Sequence, residues 1–190
     1  GYETLNALTD SHANTALGYN AMKGANQSNI HNNVAIGANA MDGIGTGDGP
    51  AWNVAIGVDA LGGALTSDGN VGIGQAALTA LTSGSGNVGI GYFAGYLTVG
   101  GANNVSLGYE AHKTNISGNN NIAIGYRAMY DHDAGTTSQD SDANVAIGSN
   151  AMGGAWVNAK SEANVAIGHN SMGAALNAAG ENVAIGFNSL

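Results

Sequence analysis

Side chains able to do chemistry are few in this chain, and they fall in two kinds of place. Five of the seven tyrosines, Tyr2, Tyr19, Tyr92, Tyr109 and Tyr126, occupy one position of a recurring motif, with Phe187 in the same column. Tyr92, Tyr109 and Tyr126 come from consecutive copies, so stacked copies would line their rings up. An aromatic face with a polar tip suits a sugar ring, and it equally suits packing at a turn or between subunits. Both tryptophans, Trp52 and Trp156, lie in segments that lengthen single copies of the motif. Loops added to a scaffold often carry binding residues, and Trp is enriched at binding hot spots. Packing over the scaffold edge is the other use for such a residue.

The lengthened segments also hold carboxylates. Asp131, His132 and Asp133, followed by Asp140 and Asp142, form the one grouping that suggests a metal. They match no EF-hand pattern, and Gly-Gly-x-Gly-x-Asp does not recur as a calcium-binding β-helix requires. His12, His31, His112 and His169 are scattered and make no ligand set. Serines sit mostly in turns, no Gly-x-Ser-x-Gly comes with a triad, and paired carboxylates occur only in loops. The expectation is therefore no metal, no cofactor, no catalytic residue and no enzyme.

Composition narrows the partners. The net charge is −9, with only four Lys and Arg residues. Such a chain has no electrostatic grip on nucleic acid or on an anionic membrane surface. No apolar run is long enough to insert in a membrane. Cys is absent, so neither disulfides nor thiolate metal sites hold the fold. Gly is abundant at 32 residues while Pro occurs once, at Pro50. Without Gly at every third position this excludes collagen.

The scaffold is a repeat, Asn-Val-Ala-Ile-Gly-x-x-Ala-Leu/Met. Its copies start at Asn14, Asn33, Asn53, Asn70, Asn87, Asn104, Asn121, Asn144, Asn164 and Asn182, 17 to 23 residues apart. Position five is Gly in each, at Gly18, Gly37, Gly57, Gly74, Gly91, Gly108, Gly125, Gly148, Gly168 and Gly186. Val-Ala-Ile alternates with period two, so it predicts a strand with Val and Ile on one face and Ala on the other. The Gly ends that strand where φ turns positive. A tight turn, a second and weaker strand through Ala-Leu/Met, and a turn rich in Gly, Ser, Asn and Asp complete one coil.

One coil buries only three large side chains, worth below about 10 kcal/mol. Ordering its residues costs roughly 1–2 kcal/mol apiece, so coils fold only when stacked. Stacking is expected to bury the Val, Ile and Leu faces continuously and to let the Asn side chains bond along the rod as a ladder. A turn role for Asn is the alternative. The expected fold is all-β: a parallel β-roll or β-helix of about ten coils over residues 1–190, a single repetitive segment of a longer fibre protein. A coil this short suits two flat strands with one bare face. That face is expected to be lined by Ala and covered in a homotrimer, with a single-chain solenoid as the alternative.

Asn-Val-Ala-Ile-Gly resembles the Ser-Val-Ala-Ile-Gly motif in head domains of trimeric autotransporter adhesins, which are left-handed parallel β-rolls. The form Asn-Ile-Ala-Ile-Gly-Tyr-x-Ala-Met at residues 121–129 is similar to repeats of bacteriophage tail fibres. The adhesin pattern has a shorter coil with a second Ser-x-Ala-x-Gly strand, which this chain lacks, so the tail-fibre resemblance is the better one. It implies a trimeric shaft or receptor-binding segment on a virion tail that meets a host-surface receptor, such as a polysaccharide. A head or stalk segment of a bacterial surface adhesin is the alternative, and a polysaccharide-degrading tailspike a further one. An ice-binding solenoid would need a Thr column, and only Thr15 enters the strand.

Overall fold

The structure, a computed structural model, describes residues 1–5, 11–24, 28–45, 49–131, 140–155, 160–174 and 180–190. Every copy of the motif contributes one three-residue strand. They are β1 (Thr15–Leu17), β2 (Val34–Ile36), β3 (Val54–Ile56), β4 (Val71–Ile73), β5 (Val88–Ile90), β6 (Val105–Leu107), β7 (Ile122–Ile124), β8 (Val145–Ile147), β9 (Val165–Ile167) and β10 (Val183–Ile185). They form one parallel sheet in chain order, in strict register, so Val88 pairs with Val105 and Ile90 with Leu107. The chain is thus an all-β solenoid, with no helix among the described residues. Coils are numbered below by their strand.

Which face of the sheet is inside corrects the sequence expectation. Val and Ile do share a face, but it points outward and stays partly exposed along the rod. The small middle residue is buried instead, and Ala35, Ala55, Ala123, Ala146 and Ala166 are fully enclosed. The reason is space. Position nine sends Met or Leu into the coil, where Met41, Leu61, Leu78, Met129 and Met152 are fully or almost fully buried. Little room remains opposite them: a Cβ on Gly72 would lie 3.1 Å from Leu61 Cγ, and one on Gly89 would lie 2.7 Å from Leu78 Cγ. A narrow coil filled by position nine accepts only a small residue from the strand. The Ala column is interior, so it cannot be the face that meets another chain.

The return segment is also not the second strand expected. Positions six to nine are turn residues. Position seven has φ of 50 to 57° and position nine 49 to 63° in the ten copies, mostly in residues other than Gly. These left-handed residues are held by the stack. Each position-seven N–H donates one way along the rod and each position-nine N–H from Met22 to Met172 the other, as in Phe93 N to Gln75 O at 3.0 Å and Leu78 N to Ala94 O at 3.0 Å. Regular partners above and below offset a conformation that costs about 1–2 kcal/mol per residue in isolation.

The first-position Asn residues form a ladder. In each of the nine steps from Asn14 to Asn182, the Asn backbone N–H donates to the preceding Asn Oδ1 at 2.8 to 3.1 Å. Side-chain amides add bonds to turn carbonyls, such as Asn87 Nδ2 to Gly101 O at 2.8 Å. Asn therefore serves both the stack and the turn. Among the described residues the apolar interior falls into two clusters. One cluster runs from Ala21 to Leu81 and another from Ala111 to Ala184. Between and beside them Gly95 and His112 replace the large apolar residue at position nine, with buried Thr98 and Ser106 nearby in the chain.

Candidate functional site

Three columns of the rod change character together in coils 5 to 7. Position six supplies Tyr92, Tyr109 and Tyr126, position seven Phe93, Glu110 and Arg127, and position ten Tyr96, Lys113 and Tyr130. All nine are aromatic or charged. In coil 4 the same positions are Gln75, Ala76 and Thr79, and in coil 8 Ser149, Asn150 and Gly153. The strict register of β5, β6 and β7 brings the nine into one array.

The array is tightly organised. The Tyr92 and Tyr109 rings stack 5.2 Å apart, and those of Tyr109 and Tyr126 5.4 Å apart, each nearly parallel. Phe93 meets Tyr92 and Tyr96 edge-on, at 4.4 and 4.6 Å. Glu110 is the centre. Its two oxygens accept from Lys113 Nζ at 2.8 Å and from Arg127 Nε at 2.7 Å. Lys113 also lies 5.1 Å from the Tyr130 ring centre, and the Arg127 guanidinium 4.7 Å from the same ring. Cations over aromatic faces are held electrostatically. Burial works to raise the Glu110 carboxyl, but hydrogen bonds from Lys113 and Arg127 outweigh it and hold the group below its ordinary range. The hydrogen bond to Glu110 in turn raises Lys113. The carboxylate stays ionised and both cations stay charged.

Stacking changes what the Tyr column offers. Neighbouring rings cover each other's faces, so the middle ring has no open face on which a sugar could lie. The outward edges and hydroxyls remain, on side chains that are all exposed. Tyr2 and Tyr19 form a similar pair at 5.6 Å, and His169 stacks on Phe187 at 5.1 Å. The Tyr2–Tyr19 pair has an ion pair of Glu3 and Lys23 beside it, but each of the two stacks stops at two rings, without the three-coil run of coils 5 to 7.

The other sequence candidates lie elsewhere. Trp52 is 64% exposed and stands just before Asn53 with φ 56°, away from coils 5 to 7. Trp156, His132 and Asp133 fall outside the described residues. The histidines are less scattered than the sequence suggests, because His12 and His31 stack at 3.9 Å in adjacent coils. His112 is fully buried, with Nδ1 3.3 Å from Ser106 Oγ, and burial pushes its pKa down to about 3. Among the described residues no three side chains of His, Asp or Glu come close enough to hold a metal ion. Sequence reasoning on the Tyr column alone missed Phe93, Tyr96, Glu110, Lys113, Arg127 and Tyr130. Aligning positions seven and ten as well as six across the copies would have found them.

No helix among the described residues is long and apolar enough to cross a membrane. The chain matches no protein-family model, no curated protein and no solved structure.

Proposed function

We propose that the chain is a shaft segment of a homotrimeric attachment fibre of the phage tail-fibre type, displayed on a virion tail and facing a host-surface receptor. The observation that carries this is the outward Val/Ile face. Ten rungs at about 4.8 Å make a strip roughly 43 Å long. An apolar strip that continuous marks a contact surface. Its partner must repeat with the same rise for ten rungs, and another copy of this chain, parallel and in register, does so. The threefold arrangement is supported by the motif's resemblance to trimeric fibres. Ends and loops then remain for contact with a receptor.

The test is the mass of the purified segment, by native mass spectrometry and light scattering. A value of about three times 18.7 kDa is expected. Replacing Ile90 and Ile124 by Lys should give a folded chain of single mass, because both side chains point out of the coil. A wild-type monomer, or a trimer indifferent to both lysines, would refute the proposal.

A further inference from the structure

We propose that the array on coils 5 to 7 is a binding ledge for a linear acidic polysaccharide, laid along the rod with one sugar unit per coil. This rests on the reading of the chain as an attachment fibre, and it names the ligand class and the place.

Three observations point to that chemistry. The first is spacing. Neighbouring Tyr ring centres lie 5.2 and 5.4 Å apart, coil to coil. That step is close to the length of one equatorially linked hexose in an extended glycan. A glycan parallel to the rod therefore meets an equivalent Tyr hydroxyl at every unit, and no described residue makes a hydrogen bond to these three hydroxyls. The second is the mode of contact. Because the stacked rings cover each other, recognition through an open aromatic face is unavailable at Tyr109. Edges, hydroxyls and cations must do it, which favours a ligand with ionic as well as hydroxyl groups.

The third is charge. The chain carries −9 overall and only four basic residues, and two of them, Lys113 and Arg127, sit in this array. Glu110 is the array's one acid, and both cations already bind it, so the ledge sums to one positive charge. An acidic polymer is repelled by most of the rod and drawn here. Arg127 presents the chemistry needed. Its Nε faces Glu110 and its ring contacts fix the guanidinium plane, while its side chain is 39% exposed. The two terminal amino groups can fork onto a sugar carboxylate, and such charge-assisted pairs are directional. Fixing the plane beforehand lowers the ordering cost of binding.

The experiment is calorimetric titration of the purified segment, at low salt, with a β-1,4-linked glucuronate hexamer and with cellohexaose, which has the same backbone without carboxylates. The glucuronate oligomer should bind and cellohexaose should bind at least about tenfold more weakly, with the difference shrinking as salt screens the charges. Arg127→Gln should weaken glucuronate binding about tenfold, and Arg127→Lys should recover only part of it because the fork is gone. Tyr109→Phe keeps the ring stack and removes one hydroxyl, so a loss of about threefold is expected with an unchanged circular dichroism spectrum. Equal binding of both oligomers, no binding by a segment of verified trimeric mass, or an Arg127→Gln variant that binds like wild type would overturn the ledge. So would a variant that loses trimer mass, since the array would then be a subunit contact. A monomer that still selects glucuronate would sink the trimer and leave the ledge standing.

Discussion

Asn87→Ala should be among the most damaging polar truncations in this rod. The Asn87 side chain is fully buried and makes four contacts. Its Oδ1 accepts from the Asn104 backbone N–H at 3.0 Å and from Asn104 Nδ2 at 3.2 Å. Its Nδ2 donates to Asn70 Oδ1 at 3.2 Å and to the Gly101 carbonyl at 2.8 Å. Alanine removes all four. Asn104 Nδ2 keeps its bond to the Gly118 carbonyl at 2.8 Å, so that donor is still satisfied. The Asn104 N–H and the Gly101 carbonyl lose these partners inside the stack. At about 1–3 kcal/mol per stranded buried group, a destabilisation of about 3–5 kcal/mol is expected. Asn182→Ala is the internal control. Asn182 is exposed at the last rung of the ladder and bonds only backward, to Asn164 Oδ1, and to Gly180. It should cost about 1 kcal/mol. Urea unfolding followed by far-ultraviolet circular dichroism gives the global values. Amide exchange locates the damage, because a stack of repeats can open coil by coil. Exchange at Asn104 should accelerate far more than exchange in coil 9. If the two alanine variants cost the same, the ladder is not what stabilises the stack and the reasoning fails.

Further outcomes follow from the buried His112 and from two glycines with positive φ. His112 has an ordinary pKa of 6.5, which burial lowers to about 3. The unfolded chain then takes up a proton before the folded one, so stability is full above pH 6.5 and falls below it, by about 2 kcal/mol at pH 5. Thermal melts at the two pH values should show that His112→Met, which restores the usual residue of its column, removes most of this loss. Gly74→Ala should be severe, at about 3 kcal/mol or more, because φ there is 126° and the added Cβ would lie 2.5 Å from the Gly91 carbonyl oxygen. Gly69→Ala, with φ 68° and nothing within 4 Å of the new methyl, should cost only about 1 kcal/mol in the same unfolding assay.

Much of this protein is legible without its structure, because a repeat reports on itself. Ten Asn and ten Gly residues at fixed offsets mark positions where every coil must do the same thing, and Val-Ala-Ile sets a strand with its two faces distinguished. Alternation cannot say which face is inside. Hydrophobicity alone assigns the interior to Val and Ile. The tertiary structure assigns it to Ala, because Met41, Leu61 and their equivalents reach in from position nine and leave space opposite for one small side chain. Left-handed backbone at Met22, Leu61 and Arg127 was equally hidden, since no propensity favours it there and a hydrogen bond to an adjacent coil sustains each. The Tyr column was visible as a pattern. That its rings would cover one another, and that Glu110 would draw Arg127 from the next coil to join Lys113 of its own, depended on the register of β5, β6 and β7, which brings residues 17 apart in sequence into contact. Local chemistry sets what each coil contains, and stacking decides which of its surfaces is left to meet anything else.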